Sequence, residues 1–104
     1  MFPYEWFESA EARIAPHILK TPLTRDVKRG LFLKWDNRQV TGSFKSRGAI
    51  NKILSLEDWE RRAGLVAASA GNHGQGVALA GKLTGAPVEV TLKPTLDPSA
   101  LRTA

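Results

Sequence analysis

Residues 65–85 read LVAASAGNHGQGVALAGKLTG. A short apolar run ends in small residues, two closely spaced glycines follow, and an apolar pattern then resumes at helical spacing. This predicts a buried strand over 65–70, a turn through GNHG and a helix that Gly85 stops. A strand feeding a helix in this way is the repeating unit of α/β proteins. On the C-terminal side, PVEVTLKP is a further strand candidate bounded by Pro87 and Pro94. TLDPSALRTA then reads as part of a helix with Asp97 and Pro98 at its start.

Working back from residue 65, LEDWERRAG predicts a helical segment closed by Gly64. TGSFKSR, residues 41–47, opens another helix, with Phe44, Ala49, Ile50, Ile53 and Leu54 as its apolar stripe. LFLKW, after Gly30, has the length of a strand. Thr21-Pro22 marks an extended turn into PLTRDV, and residues 8–19 predict a short helix that Pro16 ends or kinks. The order strand, helix, strand, helix, strand argues for an α/β protein: a partial open, mostly parallel sheet with flanking helices, residues 1–104 forming a single unit. Parallel sheets need both faces covered, and three strand candidates make a thin sheet, so this unit is expected to be incomplete.

Composition narrows the function classes. The chain has 104 residues, 24% of them charged and 42% hydrophobic, the profile of an ordinary globular protein. There is no cysteine, which excludes disulfides and thiolate metal sites, and two isolated histidines, His17 and His73, make no metal site. The net charge of +5 is scattered from Arg13 to Arg102 without the clustering that a nucleic-acid stripe shows, so no nucleic-acid partner is expected. The start lacks the basic region and apolar core of a signal peptide, and no stretch is long enough to span a bilayer. A cytoplasmic location with no membrane partner follows as the expectation.

The two glycine-bearing loops carry the chemistry. A strand ending in Ala68-Ser69-Ala70 that turns through Gly71-Asn72-His73-Gly74 into a helix makes an anion site, because N–H groups at a helix start lack internal partners and the dipole favours negative charge. Gly71 and Gly74 admit a ligand close to the backbone. The loop fits neither the phosphate-loop nor the dinucleotide glycine pattern. In TGSFK, Thr41 or Ser43 would cap the helix and Lys45 would sit in its first turn. Cations are disfavoured there, and that field, with desolvation by Phe44, would expose a nucleophilic amine. Arg47 reads as a structural ion-pair partner, Ser46 as a helix-surface residue, and the tryptophans as core or interface anchors.

Together, Lys34 to Ala49 (KWDNRQVTGSFKSRGA) and Ser69 to Gly76 (SAGNHGQG) resemble the lysine segment and second loop of the threonine dehydratase and serine racemase family, pyridoxal-phosphate enzymes of fold type II. Arg13-Ile14 and Thr21-Pro22-Leu23 match the same family's amino-terminal segment, so the resemblance spans roughly residues 8–94 and the chain is similar to about the first third of such an enzyme. The resemblance implies that Lys45 carries pyridoxal 5'-phosphate as a Schiff base, with Phe44 beside the cofactor and Asn72 on its ring oxygen. It implies that Ser69, Ala70, Gly71, Asn72 and His73 hold the carboxylate of a serine or threonine substrate. The implied reaction is that of an ammonia-lyase, giving a 2-oxo acid and ammonia.

By the same resemblance, a racemase of the family usually carries a serine next after the position of Ser69; Ala70 stands there and has no proton to give, which favours the dehydratase branch. Asp36 replaces the glutamate of many relatives. The family's phosphate-binding glycine loop lies beyond these 104 residues, so little catalysis is expected from the chain alone, and a second copy or a complementing fragment is an expected partner. The readings from other classes are a non-catalytic docking module that keeps the enzyme-like scaffold, and a serine-racemase-type relative.

Overall fold

The computed structural model describes residues 1–92. Helix α1, Tyr4–Ile14, starts directly after Pro3 and passes into a single 3₁₀ turn, Ala15–His17, that carries Pro16. The helix thus begins four residues before the position expected from its apolar pattern. It ends where Pro16 cannot donate a backbone hydrogen bond. PLTRDV forms a strand: β1, Leu23–Asp26, pairs antiparallel with β2, Leu31–Lys34. The intervening turn is fastened by Asp26, which accepts from the Arg29 N–H at 3.0 Å, and closed by Gly30 at φ 65°.

LFLKW therefore belongs to a hairpin, not to the sheet that the later strands form. Every residue of β2 is exposed, so the hairpin presents both faces to its surroundings. After two short 3₁₀ turns, Asp36–Arg38 and Val40–Gly42, helix α2 runs Lys45–Leu54. Helix α3, Asp58–Ala63, follows with a reciprocal capping box between Glu57 and Glu60, and Gly64 at φ 97° ends it as expected.

The βαβ unit sits where residues 65–85 predict it. Strand β3, Leu65–Ala68, leads through the glycine loop into α4, Asn72–Thr84, and β4, Val88–Thr91, returns parallel to β3 with Leu65 opposite Val88. Gly85, left-handed at φ 73°, stops α4. The helix expected around Asp97 and Pro98 lies outside the described residues. The fold is α/β with two two-stranded sheets, one antiparallel and one parallel, and flanking helices. β3 is covered on one face only: Ala67 is buried while Val66 is exposed, so it is not the fully buried strand expected.

The core lies between α2, α4 and the inner face of β3–β4. Ile50 and Ala80 are at its centre, with Ile14 joining from α1. Of the predicted α2 stripe, Ala49, Ile50 and Ile53 are buried and Leu54 packs against them, but Phe44 is 62% exposed. Ser46, expected on the surface, is fully buried and donates to the Ser43 carbonyl at 3.3 Å. Trp6 and Trp59 are exposed and do not anchor this core. Three glycines let α4 lie flush on its neighbours. A Cβ at Gly81 would overlap Val88 Cγ2, one at Gly74 would fall 3.0 Å from Val90 Cγ1, and one at Gly76 3.2 Å from the Lys45 carbonyl oxygen.

Candidate active site

Lys45 is the first residue of α2. Ser43, buried and extended, caps the helix by accepting from the Lys45 N–H at 3.2 Å; Thr41 does not. The Lys45 side chain is exposed, with its ammonium 5.3 Å from the centre of the Phe44 ring. Among the described residues it makes no ion pair. Phe44, being exposed itself, flanks the amine as an aromatic neighbour and does not wall it off from water, contrary to the desolvation expected of it.

The turn before Lys45 is held by a polar network. Asp36 accepts from Arg47 Nε at 2.6 Å and Nη2 at 3.0 Å, a two-pronged pair, and from Thr21 Oγ1 at 2.6 Å. Hydrogen bonds from Arg47 and then Thr21 lower the Asp36 pKa to about 2. Lys34 Nζ donates to the Thr21 carbonyl at 2.6 Å. Gln39 spans the backbone of Leu19, accepting from its N–H and donating to its carbonyl, both at 2.8 Å. The ion-pair reading of Arg47 holds, with Asp36 as its partner. Thr21 and Gln39 carry no chemical signature in the sequence; their roles depend on contacts 15 and 20 residues away.

The second loop lies beyond β3. Ser69 Oγ accepts from the Gly74 N–H at 3.0 Å and the Gly71 N–H at 3.3 Å, leaving its own O–H free to donate. Gly71 is half-buried, and a side chain added there would meet nothing within 4 Å. Ala70, Asn72 and His73 are exposed or half-exposed, Asn72 and His73 being the first two residues of α4. Since Gly76 rests on the Lys45 carbonyl, one turn into α4, the starts of α2 and α4 lie within about 6 Å of that contact by helix rise. An exposed amine and a set of helix-start donors thus share one edge of the core.

These residues fit the ring-and-aldehyde end of a pyridoxal cofactor: a primary amine free of ion pairs, an adjoining aromatic ring and a carboxamide at the neighbouring helix start. Among the described residues there is no cluster of side chains able to hold a metal ion, and no helix is long and apolar enough to cross a membrane.

The α/β arrangement, with a lysine at one helix start and a glycine-bearing turn at the next, is that of the fold type II pyridoxal-phosphate enzymes. The chain belongs to the pyridoxal-phosphate dependent enzyme family, whose profile matches residues 14–103. It is 47% identical over 95 residues to the catabolic L-threonine dehydratase TdcB of Staphylococcus aureus, a match covering 85% of this chain and 28% of the relative. Maize serine racemase superposes with a TM-score of 0.87 at 36% identity, over 93% of this chain and 31% of that one. The processed form of threonine deaminase isoform 2 from Solanum lycopersicum gives 0.84 at 30% identity, over 94% of this chain and 29% of that one. The chain therefore spans about three tenths of the length of these relatives.

Proposed function

We propose that this protein carries the lysine-bearing part of a pyridoxal-phosphate-dependent ammonia-lyase site for serine or threonine. The observation that carries the reading is the seating of Gly76 on the Lys45 carbonyl, which brings an amine and a set of backbone donors to adjacent helix starts. Lys45 would hold the aldehyde carbon of the cofactor through its ε-amine, Phe44 would lie beside the ring, and Asn72 would hydrogen-bond the ring oxygen. When bound, the cofactor supplies an electron sink for the pair left behind as the substrate Cα–H bond breaks. The free Lys45 amine would take that proton. The 69–73 turn would hold the substrate carboxylate through the N–H groups of Asn72 and His73 and the Ser69 O–H, with Ala70 and Gly71 shaping the approach, as helix starts favour anions. Loss of the β-hydroxyl and hydrolysis would then give a 2-oxo acid and ammonia.

Racemisation is the second reading, supported by the superposition on maize serine racemase. It needs an acid on the opposite side of the substrate Cα, and Ala70 contributes a methyl group in its place. Full activity in either case requires groups that anchor the phosphate and the ring nitrogen. Where that anchorage is lacking, the loss of orientation alone is worth on the order of 7–11 kcal/mol of barrier. A second chain or complementing fragment would supply it.

The test is titration with pyridoxal 5'-phosphate, borohydride reduction and peptide mapping. Saturable labelling confined to Lys45, and lost in Lys45→Ala, is expected. Labelling spread over Lys20, Lys28, Lys52 and Lys82 in proportion to exposure would overturn the reading.

A further inference from the structure

All four buried polar residues among those described gather around Lys45: Gln39 and Ser43 in the turn that precedes it, Ser46 directly after it, and Thr21 in the segment the turn is tied to. Buried polar groups are costly unless paired, so four of them in one place, in a chain this small, mark a turn whose conformation is set by its contacts. Gln39 is 4% exposed and makes three hydrogen bonds: two to Leu19 and one, at 3.0 Å, to the Val40 N–H. Its own carbonyl accepts from the Gly42 N–H at 2.7 Å.

The residues held between those anchors are strained. Thr41 lies at φ 70°, ψ 1°, a left-handed conformation that a β-branched residue rarely adopts. Its hydroxyl is buried without a hydrogen-bond partner among the described residues. Gly42, at φ 74°, continues the left-handed path into Ser43 and Lys45. Strain of this kind persists only where the surroundings over-determine it. Gln39 on one side and the Asp36–Arg47 pair on the other are those surroundings.

We infer that Gln39 is a positioning residue for Lys45. Its carboxamide locks the 39–43 turn to the backbone of Leu19, holds Thr41 in its left-handed state and so fixes where α2 begins and where the amine is presented. The link from amine position to cofactor capture rests on the function proposed above; the role of Gln39 in fixing the turn does not.

Hydrogen exchange resolved to single amides separates the two. In Gln39→Met, which keeps volume and loses every side-chain hydrogen bond, exchange at Gly42 and Lys45 is expected to accelerate about tenfold while Ile50 and Ala80 hold their wild-type rates, the pattern of a local opening. Adding Thr41→Gly removes the steric penalty at φ 70° and is expected to restore most of the protection at Gly42 and Lys45. Equal acceleration at Ile50 and Ala80 would make Gln39 a general stabiliser and overturn the inference. Unchanged exchange, no rescue by Thr41→Gly, or an unprotected Gly42 in the wild type would overturn it as well. Cofactor labelling on the same variants is read separately: if Lys45 of the wild type is not labelled the cofactor reading fails, while the exchange pattern still decides the role of Gln39.

Discussion

The two helix starts that face the candidate site are built on different principles. At the start of α2, side chains from distant segments converge: Arg47 and Thr21 on Asp36, Gln39 on Leu19, Ser43 on the helix N–H. At the start of α4, a single side chain, Ser69, serves the loop, and the helix is placed by glycines that let its backbone touch its neighbours. The first arrangement fixes the backbone from which Lys45 is presented, and under the proposed function its amine is a reacting atom that has to be placed closely. The second leaves the N–H groups of Asn72 and His73 to face a ligand, and under the proposed function a cradle for a carboxylate needs only that the helix be in place.

The largest way to break this comparison is to unseat α4. Gly81→Val puts a branched side chain where even a Cβ would overlap Val88 Cγ2 and lie 3.1 Å from the Ala86 carbonyl oxygen. A loss of about 3 kcal/mol is expected, the upper range for overpacking. Urea unfolding measures it, and an unchanged midpoint would mean that α4 does not rest on β4 as described.

Breaking the α2 side is expected to be milder and to depend on pH. Asp36 is 17% exposed and its pKa falls from an ordinary 3.8 to about 2, so its hydrogen bonds contribute about 2 kcal/mol. The folded value lies below the unfolded one, so this contribution is present above about pH 4 and is lost as pH falls through about 2. Arg47 is the largest of several causes of that shift, so Arg47→Ala should cost less than about 2 kcal/mol near neutrality, with the gap to wild type narrowing between about pH 4 and pH 2. A gap that stays constant over that range would assign the loss to packing of the Arg47 stem and not to the pair.

How much of this was legible beforehand follows the same division. The α4 side could be read in the sequence because its information is local: small residues before a glycine pair, an apolar run at helical spacing, a glycine stop at residue 85. The two motifs, and with them the family, were legible for the same reason. The α2 side could be read only in part. Lys45 stood out by its place at a helix start, and Arg47 read as an ion-pair partner, but the braces at Thr21 and Gln39 act across 15 and 20 residues. Nothing in a single sequence records such pairings. The hairpin was misread for a related reason. LFLKW has the composition of a buried strand, yet Leu31, Phe32 and Leu33 are all exposed in the described residues, and composition does not say which strand pairs with which.

The smallest test asks whether Ser69 belongs to the fold or to the ligand. Its hydroxyl oxygen accepts from two backbone N–H groups, which is the work of a helix cap, while its hydrogen stays free for a bound carboxylate. A cap of this kind is worth about 1 kcal/mol. Ser69→Ala should therefore lower stability by about that amount in a buffer free of binding anions, measured by urea unfolding. If stability is unchanged, the two N–H groups find water as readily as the hydroxyl, and Ser69 is kept for the ligand alone. If the loss is about 1 kcal/mol, the residue does both, and the α4 loop is less open than the comparison makes it. The bonds from Gly71 and Gly74 to Ser69 would then be ones the fold depends on, leaving the N–H groups of Asn72 and His73 to meet the anion.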